Sequence, residues 1–222
     1  ILMNKKIVFG VIFVSMIFGE TKNWNSHSAY LVPQKRWEFG LFQPFRYGYD
    51  EGIEYSIHPA LFFVMPNISI KKYHGNYGGY HFSRKLSLFY PTPLLNIVAK
   101  EGIGGLIDPT ITIPPLFGFS GTLLFSKQIN DLNLTMNAGL DYGLKLEKLD
   151  SRSNIDLPLV YHRLGIFYNN WGAHAGVSAL KKFTEKIDVF FDLHFRMLPG
   201  LVTAQRDPEL SDLIGDYAID HK

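Results

Sequence analysis

The chain has 222 residues, of which 46% are hydrophobic, 15% aromatic and only 19% charged. This length suits one all-β domain, and a formal charge of +2 with scattered Lys and Arg does not favour nucleic acid as a partner. The sequence contains no cysteine, which excludes disulfides, thiolate metal sites and cysteine nucleophiles together.

The N-terminus has the pattern of a secretory signal. A basic stretch at 4–6 precedes an uninterrupted apolar run from Ile7 to Phe18, and a run of about a dozen residues is too short for a membrane-spanning helix. Gly19 is a small residue at the expected cleavage point. We therefore predict a removed signal peptide over 1–19, export through the inner membrane, and an N-terminal segment over 20–35. The alternative is an inner-membrane anchor that stays attached.

Long stretches of the remaining chain alternate between apolar and polar residues. In LNLTMNAGLDYGLKLE, residues 132–147, every second residue from Leu132 to Leu146 is apolar. A period of two predicts an extended strand with one apolar and one polar face, and this strand is roughly three times the usual five or six residues. Further runs of this kind lie at 36–42, 52–65, 79–90, 171–180 and 187–195.

Short turn signals separate these runs. Asn169 and Asn170 stand where a two-residue hairpin needs left-handed residues. Further signals lie at 50–52, 66–67, 75–76 and 130–131. Strands joined in this way form an antiparallel meander. Pro59 removes a ladder hydrogen bond, which predicts a bulge or a split strand there.

These elements predict an all-β fold, an antiparallel up-and-down closed β-barrel over residues 36–198 with 8–10 strands. Ten strands are favoured because single-chain bacterial barrels have even numbers, and eight would follow if the weak span 68–74 is not a strand.

The alternation does not by itself say which face points outward. A soluble lipocalin-like barrel that binds an apolar ligand would place the apolar residues inside. Strand length, the signal, and a polar face rich in Gly and in charges of both signs favour a transmembrane barrel instead. Aromatic residues near strand ends are typical of two interfacial girdles, and here they are Trp37, Tyr47, Tyr49, Tyr77, Tyr80, Tyr90, Tyr168 and Trp171.

The last alternating run carries a distinctive end pattern. Apolar residues stand at every second position up to an aromatic residue, namely Ile187, Val189, Phe191, Leu193 and Phe195. This pattern resembles the last strand of the bacterial outer-membrane β-barrel class, in which it serves as an assembly signal. The resemblance implies an integral, porin-like protein of the bacterial outer membrane, with membrane lipid and the barrel-assembly machinery as partners. It concerns architecture, so it implies no catalytic residue.

In that class the aromatic residue is usually the last one, whereas this chain continues through a tail over 199–222. Within the tail, Asp207 can cap a helix, Pro208 suits its first turn, and apolar residues follow at helical spacing. We predict a short amphipathic helix there.

One predicted connection, 91–115, is long and rich in Pro and Gly. Leu94, Leu95, Ile97 and Val98 would form one apolar face of a brief helix within it. An apolar loop of this size usually meets a partner surface. It would either cap the sheet or act as a constriction or plug at the barrel mouth.

Charged and His residues on the polar face are the candidate lumen lining. They are Glu38, Glu54, His58, Lys71, Lys85, Asp141, Lys145, Arg163, His174, Asp188, Asp192, His194 and Arg196. Side chains nearly fill a barrel of this size, and buried charges must be paired or hydrated. Well-matched charges would make a closed scaffold, whereas one dominant sign along a hydrated path would make a narrow channel for a small solute or ligand.

Two short residue patterns are candidates for catalytic or metal sites. His81 and Ser83 are similar to the His-x-Ser arrangement of outer-membrane lipid hydrolases, but no acidic third member stands at a telling spacing. Asp192, His194 and Arg196 share one face, yet a metal would need ligands from other strands. We therefore predict no cofactor, no metal site and no catalytic residue, and a narrow channel, ligand-binding or structural envelope protein, with the hydrolase as the alternative.

Overall fold

The computed structural model describes residues 10–17, 26–39, 44–101, 107–150, 155, 164–183 and 188–198. Its strands are β1 (Gly10–Ile17), β2 (Trp37–Glu38), β3 (Phe45–Asp50), β4 (Ile53–Ile57), β5 (Asn67–Tyr77), β6 (Tyr80–Phe89), β7 (Leu116–Ile129), β8 (Leu132–Lys145), β9 (Trp171–Lys182) and β10 (Asp188–Met197). Its helices are α1 (Pro59–Phe62), α2 (Thr92–Val98) and α3 (Ile166–Asn169).

The strands form a single sheet in the order β1-β10-β9-β8-β7-β6-β5-β4-β3-β2. All named neighbours are antiparallel, so the predicted meander is confirmed. From residue 36 onward the described chain contains nine strands rather than the favoured ten. The weak span at 68–74 is part of β5, and the tenth strand, β1, comes from the apolar run of the predicted signal.

Closure of the sheet is not observed. Within the described ranges β1 and β2 are the two edges, and they do not pair with each other. β2 has only two residues, so few of its main-chain groups could pair with another edge strand. Residues 40–43 lie outside the described residues. The predicted run at 36–42 therefore yields a much shorter strand.

Short turns join the strands at one end of the sheet. Asn130 has φ of 52° between β7 and β8, and Gly78 and Gly79 have φ of 60° and 81° between β5 and β6, as the tightest hairpins require. The predicted turn at 75–76 is wrong, because these residues lie inside β5, where the register shifts between Tyr73 and Gly75.

At the other end of the sheet the connections are longer and partly helical. Pro59 ends the predicted strand 52–65: β4 stops at Ile57, and α1 begins at Pro59. Asn170 has the predicted positive φ, 66°, but it terminates α3 rather than forming a two-residue hairpin. The brief helix predicted in 91–115 is confirmed as α2.

Buried apolar residues from these longer connections pack together at that end. The group, called the end cluster below, contains Met65, Phe89, Leu95, Ala99, Ile107, Ile111, Ile113, Leu116, Ile155, Leu164, Ile166 and Phe167. Burying the apolar side chains of the end cluster is the main hydrophobic contribution to the stability of these connections. The described residues of the connection 91–115 therefore pack within the end cluster.

The two faces of the central strands differ sharply in exposure. On β8 the polar residues Asn133, Thr135 and Asp141 are buried, whereas Leu140 is 65% exposed. Below, "polar face" means the buried, mostly polar set of alternate residues on β3–β10, and "apolar face" means the exposed set. This arrangement is inverted relative to a soluble sheet, whose apolar side chains are usually buried.

The sheet is strongly curled toward its polar face. The His27 ring packs against the Phe190 ring of β10 with centroids 5.3 Å apart, while the next residue, Ser28, accepts a hydrogen bond from Lys71 of β5. In a flat sheet these two strands would lie roughly 24 Å apart, since neighbouring strands are spaced by about 4.8 Å. Two adjacent residues can reach both strands only because the curl brings them close.

None of the described helices is long and apolar enough to cross a bilayer. Residues 10–17 of the predicted signal form β1, and the rest of 1–19 lies outside the described residues. The predicted helix within 199–222 also lies outside them.

Candidate functional site

A segment of the N-terminal region, Ser26–Pro33, crosses the polar face. Ala29 is fully buried there: its N–H donates to Ser126 Oγ on β7 at 2.7 Å, and its carbonyl accepts from Ser83 Oγ on β6 at 2.5 Å. Lys71 Nζ on β5 donates to the carbonyls of Ser28 and Tyr30 at 3.0 and 3.1 Å. Three strands therefore hold one short stretch of main chain.

The same segment continues onto β4 and β3. Val32 N–H donates to Glu54 Oε2 at 2.9 Å. A Cβ at Gly48 of β3 would lie 2.2 Å from Pro33 O and 2.5 Å from Val32 O, so this close approach requires glycine. The segment, called the crossing segment below, thus runs against the strands from β10 to β3.

Beside it lies a cluster of buried charges. Glu54 accepts from Arg46 Nε at 2.9 Å and from Arg46 Nη2 at 2.6 Å, and it lies 3.5 Å from Lys71 Nζ. Arg46 Nη1 also pairs with Glu38 at 2.9 Å. Each cation has an anionic partner, as buried charges require.

A second polar group spans β7, β8 and β9. Asp141 Oδ2 lies 2.9 Å from His174 Nδ1, and His174 Nε2 lies 3.1 Å from Thr122 Oγ1. Gly139 makes this possible, because a Cβ there would lie 2.6 Å from His174 Nε2. Glycine on the polar face lets the imidazole reach across β8.

The order carboxylate, imidazole and hydroxyl is that of orienter, base and nucleophile. A nucleophile also needs donors for the oxyanion that develops. Here β7 and β8 are paired on both sides, so the main-chain N–H groups around Thr122 serve the ladder. This group is best described as a structural hydrogen-bond chain across three strands.

The predicted pair His81 and Ser83 does not form a base and nucleophile. Ser83 Oγ donates to Ala29 O, and the His81 ring lies against Tyr30 and Tyr73, with centroids 4.5 and 5.8 Å away. The hydrolase alternative lacks the hydrogen bond that it requires.

The other predicted trio is divided between two contacts. Asp192 Oδ2 lies 3.1 Å from His194 Nε2, while Arg196 Nη1 approaches Asp141 Oδ2 at 3.8 Å. The predicted lumen-lining residues are thus partly brought together, within β10 for Asp192 and His194 and between β10 and β8 for Arg196 and Asp141.

Most of the predicted lumen lining is shielded from solvent. Glu54, Lys71 and Asp141 are buried; Glu38, His58, Lys85, Lys145, His174, Asp192, His194 and Arg196 are half-buried. Arg163 lies outside the described residues, and Asp188 lies on β10 without a described side chain. Among the predicted assembly-signal residues, Phe191 and Phe195 are exposed, Val189 and Leu193 are half-buried, and Ile187 lies outside the description.

Sequence reasoning missed three contributors to this site. Arg46 lies on the buried side of β3 and could have been found from the alternation in FRYGYD. Phe190 interrupts the polar parity of β10 and packs against His27. The crossing segment has no periodic pattern, so no local signal indicated that it would cover the polar face.

His27 makes docking of the crossing segment sensitive to acid. Burial lowers the pKa of His27 from 6.5 to about 4, with Lys85, His194 and Lys71 acting in the same direction and Asp192 opposing them. An undocked His27 would bind a proton near pH 6.5 that the docked one binds only near pH 4. Docking is therefore fully favourable above pH 6.5 and weakens as the pH falls toward 4.

We expect this weakening to show in fluorescence anisotropy. A fluorophore on Ser26→Cys, in a chain without native cysteine, should lose anisotropy between pH 7 and pH 4.5 as the segment detaches. In the same labelled protein carrying His27→Asn, the pH dependence should be flatter. Identical profiles in the two proteins would show that another group controls docking.

In comparisons with protein-family models, curated proteins and solved structures, nothing matches this chain. Its function is therefore inferred below from its own residues.

Proposed function

We propose that this protein is an integral outer-membrane β-barrel whose interior is closed by its own crossing segment, so that it serves as a structural protein of the envelope rather than as an open pore. One observation carries the proposal: the long central strands expose apolar side chains and bury polar ones. A bilayer explains that orientation, because lipid-facing residues of such barrels are apolar and lumen-facing residues polar.

The exposed apolar side chains extend over adjacent strands. They include Ile68 and Ile70 on β5, Leu86 and Leu88 on β6, Phe119 and Leu123 on β7, Met136 and Leu140 on β8, Val177 on β9, and Phe191 and Phe195 on β10. Soluble monomers rarely expose a contiguous apolar surface larger than a few hundred Å². Hydrocarbon is the occupant that fits a continuous surface of this kind.

Aromatic residues at both ends of the strands support the same proposal. Tyr49 and Tyr77 are exposed at the end with short turns, whereas Tyr142 and Trp171 are exposed near the end with long connections. Two aromatic belts that flank an apolar band are typical of membrane barrels.

Closure into a barrel is part of the proposal. The curl that brings β5 near β10 is consistent with it, and so is the pairing of the first strand in the chain with the last. If the signal is removed as predicted, β1 leaves with it, and the freed edge of β10 would then have to close against the β2–β3 edge. Mass spectrometry of the mature chain determines which edge is present.

The filled interior favours a closed scaffold over an open channel. Its buried cations Arg46 and Lys71 lie beside Glu54, and the crossing segment covers the polar face from β4 to β7. Open channels for ions need a hydrated path with a dominant sign of charge. Purified protein in planar bilayers should accordingly show no stable open conductance.

Loop length and the assembly signal predict opposite orientations in the membrane. Short turns usually face the periplasm, yet β10 ends at the other end of the sheet, with the end cluster. An assembly signal at Phe195 would require that end to be periplasmic. A protease site inserted between Gly78 and Gly79, tested on intact cells, determines which end is outside.

The membrane proposal predicts unequal effects for two similar substitutions. Met136 and Leu146 are 41% and 60% exposed, but only Met136 lies within β8 away from the aromatic belt at Tyr142, whereas Leu146 follows the strand beyond that belt. Met136→Arg should cost about 2–4 kcal/mol, because the arginine would lie in hydrocarbon, whereas Leu146→Arg should cost about 0–1 kcal/mol near the interface. The measurement is urea unfolding in lipid vesicles.

Location provides an independent check. The protein should fractionate with outer membranes and change its gel mobility on boiling, since a closed barrel resists unfolding until heated. Equal tolerance of the two arginine substitutions, together with purification without detergent, would instead identify a soluble protein.

A further inference from the structure

The crossing segment is held mainly through its main chain. Five of the hydrogen bonds that position it end on Ser28 O, Ala29 N, Ala29 O, Tyr30 O and Val32 N. Their partners are side chains of four strands, namely Glu54, Lys71, Ser83 and Ser126. Contacts to main-chain atoms do not depend on the identity of the peptide's side chains, so this surface can hold a peptide of another sequence.

The polar face supplies hydrogen-bond partners for both the N–H and the carbonyl groups of a peptide. Ser83 and Ser126 satisfy the carbonyl and the N–H of the same residue, Ala29. Lys71, with three donors, bridges the two carbonyls on either side of that residue. Buried peptide groups need such partners, because an unpaired one costs about 1–3 kcal/mol.

Side-chain size limits which peptides fit. Ser28 and Ala29 are both fully buried, so only small residues fit at these two positions. Ring-bearing residues flank them: the His27 ring packs at a tilt against Phe190, and the Tyr30 ring packs at a tilt against His81 with centroids 4.5 Å apart. The surface therefore selects two consecutive small residues between two rings.

We propose that the polar face between β5 and β7 is a peptide-binding site for segments of this composition, and that the crossing segment occupies it as an internal ligand. A second peptide with small residues flanked by rings would bind there when the crossing segment is withdrawn. This inference does not depend on the membrane proposal, because binding can be measured in whichever detergent or buffer keeps the chain folded.

The test uses the full chain with its own segment displaced. Ala29→Trp places a large side chain where none fits, and Ala29→Pro removes the N–H that Ser126 accepts while keeping a small residue. The probe is a fluorescent peptide with the sequence SHSAYLV, residues 26–32. We expect at least tenfold tighter binding to each displaced variant than to the wild-type chain, whose site is filled.

Matched controls locate the binding. In the Ala29→Pro background, Ser83→Ala should weaken peptide binding at least tenfold, whereas Ser87→Ala, on the same strand with its hydroxyl bonded to Ser69 at 2.8 Å, should not. A control peptide with tryptophan in place of its alanine should not bind.

Absence of saturable binding, equal binding to wild type, or equal binding of the control peptide would each overturn the proposal. Far-ultraviolet circular dichroism identifies any variant that fails to fold, and the other displaced variant then gives the result.

Discussion

Replacing Glu54 by glutamine should lower the free energy of unfolding by about 3–5 kcal/mol, because the change removes the carboxylate beside buried Lys71 and leaves Arg46 with Glu38 alone. Glu54 is 2% exposed and lies between Arg46 and Lys71. Glutamine has nearly the same shape, so the loss comes from charge rather than from packing. Urea unfolding of the refolded protein, followed by tryptophan fluorescence, measures the effect.

Two further variants separate this explanation from a general sensitivity to substitution. Glu51→Gln changes an exposed carboxylate in the turn after β3, and it should alter stability by less than about 0.5 kcal/mol. Combining Glu54→Gln with Lys71→Met removes one uncompensated cation and should recover part of the loss. If Glu54→Gln lowers the free energy of unfolding no more than Glu51→Gln does, then water reaches the charged cluster and the polar face is open to solvent.

Truncating Phe167 to alanine should cost about 3–5 kcal/mol, the range for a large aromatic side chain in a packed core. Phe167 lies in α3 and is fully buried; its ring meets Phe89 edge-on at 6.4 Å and covers Gly143, where a Cβ would lie 2.8 Å from Phe167 Cδ1. Removing the ring would leave a cavity in the end cluster. The midpoint of thermal or urea unfolding reports the loss.

Phe63 is the matched control for this truncation. It lies in the connection after α1 at the same end of the sheet but is 88% exposed, so Phe63→Ala should change stability by less than about 0.5 kcal/mol. A stability loss without new conductance would support the connection 91–115 as a cap. Conductance that opens in Phe167→Ala without a loss of stability would instead identify the end cluster as a gate.

Most of the long strands, and the difference between their two faces, could be predicted from local residue patterns. In β8 a strict period of two separates Leu140 from Asp141, and this period is a local property of extended backbone. The turn at Asn130 and the helix around Leu95 were also readable, because left-handed residues and apolar spacing act within a few residues. The assignment of the polar residues to a buried face followed from strand length and composition, although alternation alone allows either orientation.

Local patterns failed where a neighbouring residue changed the backbone. The parity of 52–65 continued past Pro59, but proline favours the start of a helical turn, and α1 begins there. The predicted turn at 75–76 is instead an irregular point inside β5, because Gly78 and Gly79 supply two consecutive positive φ angles a few residues later.

What fills the polar face depends on contacts between residues that are far apart in the sequence. Ala29 and Ser126 are 97 positions apart in sequence, and no period or motif links them. Likewise, Arg46, Glu54 and Lys71 form a cluster because the strands pair in one register and the sheet curls. Side-chain alternation follows from the local geometry of an extended backbone. A contact between distant residues forms only when the whole chain has folded.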